Sequence, residues 1–318
     1  MIETQILFRP SEVSGLMTNA KGKSNLEKYE ELETKIDIVL NEYNELQNKE
    51  TKKAQGLLDR VIKYRNELKE LEPVKHLPNL SEGVKTQLRA KMIEVKYKRF
   101  KAFLDNKYTT KGKDCEERAI TLYSVLKNKV FENNKTRVRN DYFSGEIDLP
   151  WYNENKVMWK ITDIKNSYNI HTFYDNLDEV KKGNYWQGVA YMHLHPTVTE
   201  YSIANVLVDN TVDAILLDMH RESYRWENGD TPNWREIQIL KDHVYTQKSF
   251  DEFIEMRGCQ PIDEKAVEVY NSFVELPIED RLIEHTYQRD QSEIERLTSR
   301  LNECRLYLEL TYNLKHVA

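Results

Sequence analysis

Residues 136–167 read TRVRNDYFSGEIDLPWYNENKVMWKITDIKNS, and the fold turns on them. TRVRNDYFSGEIDLP and KVMWKITDIKNS are rich in β-branched and aromatic residues, which suit a pleated, half-buried surface. WYNEN, residues 151–155, lies between them and supplies turn chemistry. The stretch predicts two adjacent strands. Asp148 falls at the end of the first, and Asp163, fifteen residues on, near the end of the second. Side chains alternate along a strand, so Asp163 and Lys165 share a face with Val157, Trp159 and Ile161. A carboxylate and an ammonium thus stand where an apolar face should continue, and such a break in pattern marks a candidate functional site.

Helical sequence lies on both sides. GKDCEERAITLYSVLKNKV, residues 112–130, carries an apolar face of Ile120, Leu122 and Val125. A helix is expected around YWQGVAYMHL, residues 185–194, followed by a second strand pair at ANVLVDN and AILLDMHRES. The remainder reads as helical. It ends in an amphipathic stretch from about Ile278 to Asn313, with Leu282, Leu297, Leu301 and Leu308 as expected buried positions.

Upstream, apolar residues recur three and four apart at Tyr29, Leu32, Ile36, Val39, Tyr43 and Leu46. They recur again, in another phase, at Leu57, Val61, Tyr64, Leu68 and Leu71. The polar QNKETKKAQG between them predicts two helices, each about 30 Å long, in an antiparallel coiled-coil arm; one bent helix is the alternative. Pro73 and Pro78 then break helicity, and Ser81 caps a lysine- and arginine-rich helix over residues 81–104. The opening ILFRPSEVSGLM reads as a short extended piece entering a helix, with Pro10 at its start and Ser11 as a cap. The expected fold is α/β: a central mixed sheet flanked by helices, with an inserted helical arm. The expected divisions are 1–25, 26–72 and 73–318.

Composition sets outer bounds. With 318 residues the chain is long enough to bury a sizeable core. A net charge of −6 advertises no global affinity for nucleic acid, so a DNA-binding reading requires a local basic channel. Cys115, Cys259 and Cys304 are too few and too widely spaced for a disulfide framework, a zinc knuckle or a four-cysteine iron–sulfur cluster, which fits a reducing cytosol. No apolar run approaches the ~20 residues of a membrane span, and MIETQILFRP does not read as a secretion signal.

Hydrolysing a phosphodiester needs a metal to polarise the phosphate, an activated water and stabilisation of the leaving oxygen. Magnesium wants oxygen ligands, which Asp148 and Asp163 offer. The pattern D-(x)n-D-x-K on adjacent strands resembles the PD-(D/E)XK nuclease superfamily, with Ile147 in place of the proline. Gly112 to Glu116 is similar to the G-x-x-x-E segment of the RecB-like and viral alkaline exonuclease branch, with Glu117 as the neighbouring alternative. Gln187 and Tyr191 match the Q-x-x-x-Y motif of the same branch and, four apart, share one helical face. FRPSEVSGLM resembles the serine-containing opening segment of phage YqaJ-type recombination exonucleases, although residues 2–8 hold no arginine to match theirs.

This resemblance implies a metal-dependent DNA exonuclease acting in phage-type recombination or repair in the cytosol of a bacterial host. Glu116, Asp148 and Asp163 would hold Mg²⁺ (or Mn²⁺), and Lys165 would position water. Gln187, Tyr191 and Ser11 would engage DNA, Ser11 at a terminal phosphate. A single-strand annealing recombination protein would be a partner, and the chain would form a homo-oligomer. Two other readings stay open: a non-catalytic DNA- or partner-binding protein on a nuclease scaffold, and a restriction-type endonuclease.

Several features have plainer explanations. His193 and His195 suggest a metal pair but lack a third ligand. Lys91, Lys96, Lys98, Arg99 and Lys101 either bind phosphate or form a solvated face with Glu94 and Asp105. Arg281, Arg289, Arg296 and Arg300 are interleaved with glutamates, which predicts intrahelical ion pairs, and Cys115 reads as a small buried residue.

Overall fold

The computed structural model describes residues 2–100, 111–112 and 114–317. By compactness the chain forms two units, one of Phe8–Val13 and Ala102–Ile294, the other of Met1–Leu7, Ser14–Lys101 and Glu295–Ala318. This division follows other lines than 1–25, 26–72 and 73–318.

The first of these units holds a four-stranded mixed sheet, ordered β4 (Leu149–Tyr152), β5 (Met158–Asn166), β6 (Glu200–Val206) and β7 (Leu282–Gln288). β5 runs antiparallel to β4 and parallel to β6, and β7 runs antiparallel to β6. The parallel pair needs a crossover, which two helices supply, α6 (Ile170–Tyr174) and α7 (Lys182–Leu194). The sheet's two faces are dressed differently. Thr162, Ile164, Ala204 and Val206 alternate onto one face, where Ala119, Ile120 and Tyr123 of α5 (Glu116–Leu126) pack with Leu149. On the other face α7 comes so close to β6 that a Cβ added at Gly188 would lie 2.3 Å from the Tyr201 ring. The α/β expectation of a mixed central sheet flanked by helices therefore holds.

The expected 136–150 strand is broken in three. β2 (Arg137–Arg139) and β3 (Ser144–Glu146) form their own antiparallel pair. Asn140 makes the turn between them, its Oδ1 accepting from the amides of Tyr142 (2.9 Å) and Phe143 (2.8 Å). Asp148 consequently sits in the gap before β4 rather than at the end of a long strand. Trp151 and Tyr152, expected in the turn, instead pair with Lys160 and Met158. The turn itself is built on Asn153, whose Oδ1 accepts from Asn155 and Val157 amides.

Two more expectations need correction. AILLDMHRES is helix α8 (Val212–Ser223), not a strand: Thr211 caps it through the Ala214 amide, and Ile215 and Met219, four apart, are buried. Conversely, residues 282–288 form the edge strand β7, and the last helix, α12, starts only at Gln291 and runs to Tyr312. Ile283, Thr286 and Tyr287 favour strand, and Thr286 meets Ser202 side chain to side chain at 2.7 Å. Arg281 and Arg289 thus precede the helix and donate to backbone carbonyls, Arg281 to Tyr245 and Arg289 to Met192 and Val198. Arg300 does pair within its helix, with Glu303 at 2.6 Å.

In the other unit, α2 (Asn25–Asn44) and α3 (Lys52–Leu71) are two helices rather than one, capped by Ser24 and Thr51. They form a hairpin with its own apolar seam of Ile36, Val39, Leu57 and Val61. Ser81 caps α4 (Glu82–Tyr97) as expected, but that helix ends early, at Lys98 in the left-handed region (φ 54°). Lys101 to Asp105 lie outside the described residues. Lys91 is buried and paired with Glu94 at 3.3 Å. Leu297, Leu301, Cys304 and Leu308 form the buried stripe of α12, and β1 (Ile2–Thr4) pairs in parallel with β8 (Leu314–His316). Among the described residues no helix is long and apolar enough to cross a membrane.

Candidate active site

β4 pairs with β5 no further than Leu149, opposite Thr162, so the last four residues of β5 leave the sheet's β4 side open. There the chain turns a side chain into a strand partner. Oδ2 of Asp148 accepts the Ile164 amide at 2.8 Å. Asp163 and Lys165 project from the opposite face to Ile164, toward α7. The Lys165 ammonium lies 2.6 Å from Asp163 Oδ2. Gln187 of α7 joins the pair from above: its Nε2 donates to Asp163 Oδ1 at 3.2 Å, and its Oε1 accepts from Lys165 Nζ at 3.4 Å.

These groups line one cavity of about 510 Å³. Glu116 reaches it from the first turn of α5. That helix is held by Tyr123, whose hydroxyl donates to Glu284 at 3.0 Å and touches Thr162, and by the pair Lys127–Glu284 at 2.6 Å. Glu117 is exposed and does not line the cavity. Lys111 is wholly buried nearby, donating to the carbonyls of Tyr168 and Val208 and so tying the chain after β5 to the chain after β6. Burial pulls its pKa down to about 7.

The structure brings Glu116, Asp148, Asp163, Lys165 and Gln187 together. Tyr191 and Ser11 do not line the cavity. The Tyr191 hydroxyl donates to the Glu146 carbonyl at 2.6 Å, which braces β3 against α7, and burial holds it above the usual tyrosine range. Ser11 is exposed on the short 3₁₀ turn Pro10–Glu12 that packs beside α7. His193 is engaged by Asn140 and lies edge-on to Tyr142 and Phe143; burial lowers its pKa and that of His195. Several cavity residues escaped the sequence motifs: Asn166, Asn176, Lys181, Asn184 and Asn205. Asn184 lies three residues before Gln187 on the same helical face, a spacing that could have flagged it.

The electrostatics are those of crowded like charges. Burial, then the adjacent Asp163, push the Asp148 carboxyl up to about 7, against the pull of Lys165 and the Ile164 amide. Burial lowers Lys165, but Asp163 and Asp148 outweigh it and hold the ammonium above its ordinary range. Two repelling carboxylates beside a cavity, offering only oxygen, fit a hard dication. Glu116 lines the same cavity, yet its Oε1 is taken by Asn133 Nδ2 at 3.0 Å. Among the described residues no three carboxylate, histidine or cysteine groups form a metal cage. The donor set therefore fits Mg²⁺ or Mn²⁺ bound through two carboxylates, with water and substrate completing the shell, as Mg²⁺ commonly binds.

No protein-family model matches the chain, and no curated protein matches it. Among solved structures, a phage-related exonuclease from Haemophilus somnus 129PT is similar, with a TM-score of 0.55 and 18% identity over 96% of this chain and 94% of that one. An alkaline exonuclease from Laribacter hongkongensis aligns over 97% of this chain and 92% of its own, at 9% identity and a TM-score of 0.41, too remote to speak for the fold. The chain thus shares its fold, a mixed central sheet flanked by helices, with a phage-related exonuclease.

Proposed function

We propose that this chain is a metal-dependent DNA exonuclease that hydrolyses phosphodiester bonds in phage-type recombination or repair. The observation that carries the proposal is the meeting of Asp148, Asp163, Lys165 and Gln187 at one cavity, on a fold shared with a phage-related exonuclease. Mg²⁺ or Mn²⁺, held by Asp148 and Asp163 with Glu116 as the further carboxylate, would supply Lewis acidity at the scissile phosphate.

The chain's own groups divide the remaining work. Lys165, kept protonated by its carboxylate neighbours, acts as a cation and not as a base: it orients the attacking water or holds the scissile phosphate. Gln187 bonds both members of the Asp163–Lys165 pair and so orients their polar atoms before substrate arrives. Asp148 is held in place by the Ile164 amide. In this proposal Ser11 and Tyr191 serve DNA binding from outside the cavity. A single-strand annealing recombination protein is the partner, the chain works as a homo-oligomer, and the setting is the cytosol of a bacterial host.

End-labelled linear DNA and closed circular DNA, each incubated with Mg²⁺ or with EDTA, test the proposal. Degradation of linear DNA alone, abolished by EDTA, is the expected result. Cutting of both forms makes the protein an endonuclease, and cutting of neither makes it a binding module.

A further inference from the structure

The cavity wall beyond the carboxylates is made of amides more than of cations. Asn166, Asn176, Asn184, Asn205 and Gln187 line it, against Lys165 and Lys181. A wall shaped for a run of phosphates would show lysine and arginine, because an amide oxygen facing a phosphate oxygen repels it. Asn166 is the sharpest case. It is the last residue of β5, directly after Lys165, and its backbone pairs with Val206. Both polar atoms of its side chain, Nδ2 and Oδ1, are buried, and among the described residues neither has a hydrogen-bond partner. Each such orphan forfeits its hydration without a replacement bond, so a folded chain rarely keeps a pair of them on one side chain without a use.

The two orphans specify what would satisfy them. A phosphate only accepts hydrogen bonds, so it would satisfy Nδ2 and leave Oδ1 facing negative charge. A nucleobase edge presents a donor beside an acceptor, the complement of a carboxamide, as in the pairing of asparagine with adenine. That pairing uses adenine N6 and N7, which a duplex leaves open in its major groove, but a side chain buried in a cavity wall is out of a duplex's reach, so the base that meets it has left the stack.

We propose that Asn166 binds the edge of an unpaired nucleobase, that of the nucleotide adjoining the scissile phosphate. The inference rests on the nuclease reading of the same cavity and adds a base contact to it. Asn166 is then a specificity-determining residue, set one position beyond the lysine that serves the phosphate.

Fluorescence anisotropy in EDTA tests this without cleavage. The probes are a labelled short oligodeoxyadenylate and the same backbone with abasic sites. Wild-type protein is expected to bind the base-bearing strand about tenfold more tightly than the abasic one, the scale of a bidentate base contact. Asn166→Ala should bring the two affinities together while leaving Tm unchanged or raised, since it removes two unsatisfied groups. Equal wild-type affinity for both strands would overturn the proposal, and this arm stands even if the variant fails to fold. Full discrimination retained by Asn166→Ala would overturn it too. So would an equal loss on both strands together with a lowered Tm, which is the signature of a structural role. Wild-type cleavage of linear DNA with Mg²⁺ is followed in parallel. Its absence counts against the nuclease reading alone, because the binding ratio judges Asn166 separately.

Discussion

The Asp148 carboxylate stands in for a missing strand, since its Oδ2 accepts the Ile164 amide at 2.8 Å where β4 no longer reaches β5. The same group therefore completes the sheet edge and lines the cavity beside Asp163. Its charge is costly there, which ties the site's electrostatics to the stability of the fold.

That link predicts an unusual pH dependence. In the folded chain the Asp148 carboxyl is pushed up to about 7, from an ordinary value of 3.8, by burial and by Asp163. The folded state therefore holds this proton more tightly than the unfolded state between those two values. The destabilisation is complete above the folded pKa and is relieved progressively as pH falls from there to the unfolded value. In metal-free protein, Asp148→Asn should be more stable than wild type at about pH 8, by ~1–3 kcal/mol, and the gap should narrow steadily below about pH 7. Thermal melts of both proteins in EDTA across that range would check it, and a gap that widened on acidification would contradict the assignment.

Asp163→Ala should leave the far-ultraviolet circular dichroism spectrum intact and lower the cleavage rate by at least ~10²-fold. The carboxylate is held on both sides, by Lys165 and by Gln187, so its loss removes the centre of the group. Wild-type cleavage by this variant would mean that the cavity is not the active site.

Lys165→Ala should slow cleavage strongly while short-DNA binding, measured by anisotropy, changes little. A cation that works on the transition state appears in kcat, whereas a mere phosphate anchor appears equally in binding. Matching losses in both would reassign Lys165 to the anchoring role.

Gly188→Ala sets two effects against each other. Alanine gains up to about 1 kcal/mol over glycine inside a helix. Its methyl, however, would lie 2.3 Å from the ring of Tyr201, itself buried, and such overpacking costs about 1–3 kcal/mol or more. The expected outcome is a lower Tm and slower cleavage, because the helix that moves also carries Gln187. A variant with unchanged Tm and rate would show that α7 can shift without cost.

Much of this architecture was legible in the residues, for identifiable reasons. β5, α5 and α7 carry strong local signals, namely β-branched alternation in KVMWKITDIKN and helical spacing in ERAITLYSVL and YWQGVAYMHL. Residues 214–223 and 282–288 were exchanged between helix and strand because AILL is apolar enough for either, while LIEHTYQ interposes charge and histidine in a strand whose partner, β6, is distant in sequence. Among the site residues, Asp163 and Lys165 follow from period-two spacing, and Gln187 from the resemblance to the Q-x-x-x-Y motif. Asn205 and Asn176 could not be foreseen: β6 and the crossover bring them to the cavity, and no local pattern encodes that meeting.

β5 gathers Asp163, Lys165, Asn166 and the amide that docks Asp148 on four consecutive residues. Asp163 and Lys165 pair along one strand, Ile164 holds Asp148 by its amide, and Asn166 stands beside them on the cavity wall. Distances within such a group depend on the pleat of one strand and little on how neighbouring helices sway. This strand-borne part of the site is a cassette: the flanking elements can be remodelled while the spacing between carboxylate and ammonium stays constant. An engineer who wished to move this chemistry to another scaffold would need to carry over that strand end, a carboxylate to dock on its free amide, one amide side chain overhead and the helix-borne carboxylate of Glu116.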